Sequence, residues 1–222
     1  MRPPPPKPEP ITPRILLRAY AAGLFPMAED AEADYLHWFD PRERGIFPLD
    51  RLSVSKSLAK AIKAKKFDIR IDQDFDAVLA GCAESRPGRE KTWINKTIAA
   101  LFRELFDMGF AHTVEAWREG ELVGGLYGLA LGGAFFGESM FHHVTDASKV
   151  CLTYLVARLR FGGFSLLDAQ FVTPHLESLG AIEISRADYR RRLDAALDLQ
   201  GDFRALDPQA APEEVLSLVR AP

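Results

Sequence analysis

Residues 112–138 constrain the fold of this chain more than any other stretch. His112 to Trp117 alternates its side chains, Arg118 to Gly120 interrupts the run, and Leu122 to Leu131 resumes it. Gly132-Gly133 follows, and both positions can take positive φ without a Cβ penalty, which predicts a two-residue hairpin turn. Ala134 to Glu138 completes a three-stranded meander. Helical signals flank it on both sides. Thr12-Pro13 opens a stripe of Ile15, Leu16, Ala19 and Tyr20, which Gly23 ends. Ser53 or Ser55 caps a segment in which Val54, Leu58 and Ile62 share a face. A strand is expected over 67–72 and a short helix from Asp74 to Ala83. A charged loop turns at Pro87-Gly88. Ile98, Leu101, Phe102, Leu105 and Phe106 make a strong helical stripe.

After the meander, Asp146 is the expected cap of a helix that Gly162-Gly163 ends. A strand over Phe164–Val172, a short helix from Pro174 to Leu179 and a strand at Ile182–Ile184 complete the pattern. Meander, helix, strand, short helix and strand in that order resemble the acyltransferase fold of the GNAT superfamily. The expected class is therefore α+β, a mixed sheet flanked by helices. The expected division is a proline-rich tail over 1–10, a small N-terminal domain over 11–52, a GNAT-like domain over 53–205 and a C-terminal tail over 206–222.

Composition removes several classes of function. The 222 residues are 47% apolar and 27% charged with net charge −3, which is ordinary for a folded domain and acidic for a dedicated nucleic-acid binder. No run approaches the roughly 20 apolar residues a membrane-spanning helix needs. Six of the first ten residues are proline, so the N-terminus does not read as a secretory signal. Cys82 and Cys151 stand far apart, and the five histidines form no HExxH. The expectation is a cytoplasmic protein with no metal, no cofactor and no membrane partner. Charge is nonetheless uneven. Residues 51–70 carry seven basic side chains, Lys56, Lys60, Lys63, Lys65 and Lys66 among them, against the single acid Asp68. That run is a solvated helix face or a local patch for phosphates.

Three polar groups stand out in apolar surroundings. Glu138 lies in FGESMF, and strict alternation places Phe136, Glu138 and Met140 on one face. A carboxylate there is an internally paired structural group or a pocket wall that meets an amine. Asp168 and Gln170 lie two apart in LLDAQFV. They form either a structural hydrogen-bond clip or a pair that orients an attacking amine. Trp38 and Trp93 fall outside the core periodicity and either cap the core or offer a platform for a nucleobase. The glycines at 124, 125, 128, 132, 133 and 137 do not form a phosphate loop. HHVTDASKV lacks the glycine turn with which acetyl-CoA-dependent members of the GNAT fold hold a pyrophosphate.

AYAAGLFPM at 19–27, EKTWI at 90–94, LVGGLYG at 122–128, FGESMF at 136–141, DASK at 146–149 and LLDAQFVTPHLESLGA at 166–181 together resemble the leucyl/phenylalanyl-tRNA–protein transferase family. The resemblance implies transfer of Leu or Phe, and more weakly Met, from the acceptor end of charged tRNA to the N-terminus of an acceptor protein. The acceptor typically begins with Arg or Lys, and the product is marked for N-degron degradation. By resemblance, Asp168 and Gln170 are the catalytic pair and Glu138 the carboxylate of the aminoacyl pocket. Trp38 and Trp93 hold the terminal adenosine between them. Leu126, Gly137, Met140 and Leu155 shape the side-chain pocket, Leu155 standing where Phe is found elsewhere in the family. The basic run becomes a surface for the tRNA backbone. A monomer is favoured. The alternatives are a GNAT-type N-acetyltransferase using acetyl-CoA and a non-catalytic tRNA- or peptide-binding module.

Overall fold

The computed structural model describes residues 11–85 and 91–220. The expected tail at 1–10, the Pro87-Gly88 turn and Glu90 of the EKTWI motif lie outside the described residues. Helix α1 (Pro13–Ala21) starts where predicted, with Thr12 Oγ1 accepting from the Ile15 N–H at 3.3 Å and Pro13 in the first turn. It buries Leu16 and Tyr20. Strands β1 (Phe25–Met27) and β2 (His37–Phe39) pair as a small antiparallel ribbon, and β3 (Glu43–Ile46) follows. Ser55 rather than Ser53 caps α2 (Lys56–Lys63). Then come β4 (Asp68–Ile71), α3 (Phe75–Ala83) and α4 (Lys96–Asp107). Strands β5 (Ala111–Arg118), β6 (Glu121–Leu131) and β7 (Ala134–His142) form the meander. Helix α5 (Ala147–Phe161), β8 (Leu166–Gln170), α6 (Pro174–Leu179), β9 (Ile182–Ser185), α7 (Arg186–Leu197) and α8 (Pro212–Arg220) complete the chain.

The main sheet has the order β4-β5-β6-β7-β8-β3-β9. All neighbours are antiparallel except β7 and β8, which run parallel and are joined through α5. Side chains alternate between two cores: Phe135 and Leu167 point into one, Phe136 and Leu166 into the other. The first core is closed by α2, α5 and α8, and the second by α1, α3, α4 and α7. Every residue from Val150 to Leu159 is buried because α5 lies between the sheet and α8.

Several expectations change. The segment expected as a small N-terminal domain over 11–52 contributes β3 to the main sheet, between β8 and the edge strand β9. The segment expected as a tail over 206–222 holds α8, whose Val215, Leu216 and Val219 are buried in the first core. Arg158 anchors its approach by donating to the carbonyls of Phe203 and Leu206 at 3.0 and 2.6 Å. Asp146 does not cap α5: it takes a left-handed φ of 76° and makes no side-chain cap bond. Of the glycine pair in the hairpin, Gly132 alone takes positive φ, at 58°. Strand β7 runs four residues beyond its predicted end because β6 stays beside it to Gly124.

Candidate active site

Strands β7 and β8 pair at three positions, from Ala134↔Leu166 to Phe136↔Asp168, and part beyond them. In β7 the register shifts: Tyr127 faces Ser139 and Gly128 faces Gly137, which leaves Glu138 as the extra residue of a β-bulge. The bulge reverses the alternation predicted for this strand. Phe136 faces the second core while Met140 packs against the first, so Phe136, Glu138 and Met140 do not share a face. A cavity of about 330 Å³ opens beside this splayed region. Leu126, Gly137, Glu138 and Met140 line it from the meander, Leu155 from α5, and Asp168 and Gln170 from β8. Trp93 closes it together with Pro26 and Met27 of β1.

Asp168 is fully buried, and its carboxylate accepts four hydrogen bonds. Oδ1 takes Arg44 Nε at 2.9 Å and the Gln170 backbone N–H at 2.8 Å. Oδ2 takes Arg44 Nη2 at 2.5 Å and the Tyr189 hydroxyl at 2.7 Å. The expected Asp–Gln pair is thus joined through the main chain of Gln170. Gln170 itself adopts a left-handed φ of 56° at the end of β8. Its Nε2 is buried and finds no partner among the described residues. An unpaired buried donor is costly, and this one belongs to a residue that lines the cavity, where a ligand's polar atom can meet it.

Glu138 accepts from the Tyr20 hydroxyl at 2.8 Å. Removal from bulk water pushes its carboxyl up from the usual 4.5 to about 8. Asp168 adds to the rise, while the Tyr20 bond and Arg44 oppose it. The carboxyl is therefore neutral near pH 7 until a cation arrives beside it. The same desolvation, with Glu138 next in size, holds the Tyr20 phenol well above its ordinary value.

The structure brings Glu138, Asp168, Gln170, Trp93, Leu126, Gly137, Met140 and Leu155 to one cavity and leaves other predicted residues elsewhere. Trp38 sits on β2 opposite Pro26, 39% exposed, and does not line the cavity; Met27 does. Lys56, Lys60, Lys63 and Lys65 are exposed on and just after α2, outside the cavity. Lys66 is half-buried and donates to the Thr145 carbonyl at 3.0 Å. Sequence reasoning missed Arg44, Tyr189, Tyr20 and Tyr127. No local signal marks Arg44, whose partner Asp168 lies 124 positions away. Among the described residues no group of His, Cys, Asp or Glu could hold a metal ion, and no helix is long and apolar enough to cross a membrane.

Comparison with known proteins adds a direct line. A family model described as leucyl/phenylalanyl-tRNA protein transferase matches residues 46–194, and one for the N-terminal domain of the same proteins matches 9–42. A protein of Afipia carboxidovorans named leucyl/phenylalanyl-tRNA–protein transferase is 55% identical over 212 residues, covering 95% of this chain and 93% of its own. Proteins of that name from Paramagnetospirillum magneticum and Rhodospirillum rubrum are 58% and 57% identical, over 85% and 87% of this chain and 90% and 91% of theirs.

Proposed function

The chain belongs to the leucyl/phenylalanyl-tRNA–protein transferase family, and from that premise we propose how its cavity performs the transfer. It is an aminoacyltransferase that moves leucine or phenylalanine from charged tRNA to the N-terminal amine of a protein. The observation that carries the reading of the site is the orphaned, buried Gln170 Nε2, on a residue that lines the cavity together with Glu138 and Asp168.

The ester of an aminoacyl-tRNA is already activated, so the work is alignment and proton management. The acceptor's α-amine attacks the ester carbonyl. A C–N bond forms, the C–O bond to the terminal ribose breaks, and the proton lost by nitrogen ends on the ribose oxygen. Gln170 Nε2 donates to the carbonyl oxygen as negative charge grows there, an interaction worth roughly 10²–10³ in turnover in comparable sites. Glu138 receives the α-ammonium of the aminoacyl group, whose positive charge favours the ionised carboxylate. Leu126, Met140 and Leu155 surround the leucyl or phenylalanyl side chain. One methylene there is worth about 1–3 kcal/mol, so some transfer of Met follows. Trp93, facing Met27 and Pro26, provides the stacking surface for the terminal adenosine. The lysines of α2 carry the tRNA backbone through phosphate contacts.

We assign the catalytic body to the GNAT-like class because meander, helix, strand, short helix and strand occur in that order. Acceptors beginning with Arg or Lys, onward degradation, a cytoplasmic setting and a monomeric state are part of the same reading. The test is transfer of radiolabelled leucine from Leu-tRNA to peptides beginning with Arg, Lys, Asp or Glu, with Gln170→Ala alongside. Labelling of Arg and Lys peptides that collapses in the variant is the expected result. Labelling confined to Asp and Glu peptides overturns the acceptor class, and undiminished labelling by Gln170→Ala overturns the role of that residue.

A further inference from the structure

We infer that Arg44 and Tyr189 are positioning residues for the transfer: acting through Asp168, they hold the backbone of Gln170 in the conformation that places its amide at the cavity. The inference rests on the reading that Gln170 meets the ester. A carboxylate offers about four lone-pair sites. Those of Asp168 are filled by Arg44 Nε, Arg44 Nη2, the Tyr189 hydroxyl and the Gln170 N–H. No site is left to draw a proton from an attacking amine or to grip the Gln170 side chain. Among its four hydrogen bonds, the one that ties Asp168 to a residue lining the cavity is that from the Gln170 N–H.

That N–H belongs to a residue in an unfavourable conformation. A φ of 56° is rare for a side-chain-bearing residue other than Asn or Asp, and it persists where surrounding contacts over-determine it. Here the contacts converge. Gly45, paired with Gln170, abuts the turn so closely that a Cβ on it would lie 2.9 Å from the Phe171 carbonyl carbon. Its neighbour Arg44 is itself immobilised: Nη1 donates to the Gly23 carbonyl at 3.0 Å. The guanidinium lies 4.3 Å from the Phe25 ring centre and 4.4 Å from that of Tyr189. Arg44 and Tyr189 are 1% and 2% exposed. A pair serving stability alone needs neither the second donor on each oxygen nor the link to a strained main chain.

The experiment measures transfer from Leu-tRNA by the full chain and by Tyr189→Phe and Arg44→Lys, each made alone and in the Gln170→Ala background. Thermal unfolding identifies which variants are folded at the assay temperature. We expect each single substitution to lower kcat by ~10-fold or more, with KM for Leu-tRNA held within ~twofold, because misplacement costs turnover rather than binding. In the Gln170→Ala background the same substitutions should cost nothing further. Equal losses in both backgrounds, or a raised KM at unchanged kcat, overturn the inference while leaving the role of Gln170 intact. Full activity of Gln170→Ala overturns both. Tyr189→Phe removes one hydroxyl without changing the shape of the site, so it decides the matter even where Arg44→Lys fails to fold.

Discussion

Replacing Glu138 by Gln should flatten one component of the pH dependence of stability. The Glu138 carboxyl titrates near 8 in the fold against an ordinary 4.5, chiefly because it is desolvated. The folded-state value is raised, so the group's contribution is fully present below about 4.5 and is lost as pH climbs through about 8. The interval is about 3.5 pH units, and at ~1.4 kcal/mol for each it corresponds to about 5 kcal/mol. Glu138 keeps part of its surface exposed to the cavity, which lowers this, and we expect roughly 3 kcal/mol. Gln is the shape of the neutral acid and its Oε1 still accepts from the Tyr20 hydroxyl, so the variant keeps the contacts and lacks the titration. The assay is urea unfolding of both proteins at pH 5.5, 7 and 9. The wild-type chain should lose stability relative to Glu138→Gln as pH rises, and the other titrating groups cancel in the difference. Stability differences that stay constant within ~0.5 kcal/mol across that range would refute the claim that Glu138 is held neutral by burial.

Other outcomes follow from the same geometry. Trp93→Ala should weaken Leu-tRNA binding by ~10–100-fold, the worth of one stacked base, while Trp38→Ala stays within ~threefold; titration of charged tRNA against each variant separates them. Replacing Lys56, Lys60 and Lys63 together by Ala should raise the Kd for tRNA and reduce the slope of log affinity against log salt by about 2–3, with kcat unchanged at saturation. Leu216→Ala should cost about 2–5 kcal/mol in chemical unfolding, because α8 is core and not tail. Gly124→Ala should destabilise by about 1–3 kcal/mol, since its Cβ would lie 2.5 Å from that of Ala147; an unchanged melting temperature would show that α5 can shift.

Local chemistry carried those parts of the fold that could be read in advance. Thr12-Pro13 and the stripe through Leu105 mark helices without help from elsewhere, and the meander announces itself by alternation. What escaped depends on tertiary pairing. Strand β3 is four residues long and is a strand because β8 and β9 lie on either side of it. Helix α7 hides its buried Tyr189, Leu193 and Ala196 among arginines, so no apolar stripe stands out. The bulge at Glu138 inserts one residue into a regular alternation, and period-2 reasoning fails from that residue onward. At the site, Asp168 and Gln170 were recognisable as polar groups that must be satisfied. Their partners were not, because Arg44 lies 124 positions from Asp168 and nothing local ties the two. The lining role of Met27 shows the same limit: the register Pro26↔Trp38 sets which residues of the ribbon line the cavity, and register is a property of the ribbon.

The place of β3 in the sheet also has a consequence in time. An amino-terminal strand fills a slot between two carboxy-terminal ones, so a chain emerging from the ribosome cannot complete its main sheet until β9 has been made. Arg44 waits for Asp168 and Tyr189 throughout that interval, and Gln170 lacks its anchor. A nascent chain surrounded by charged tRNA therefore has no working transfer site until almost all of it has been synthesised.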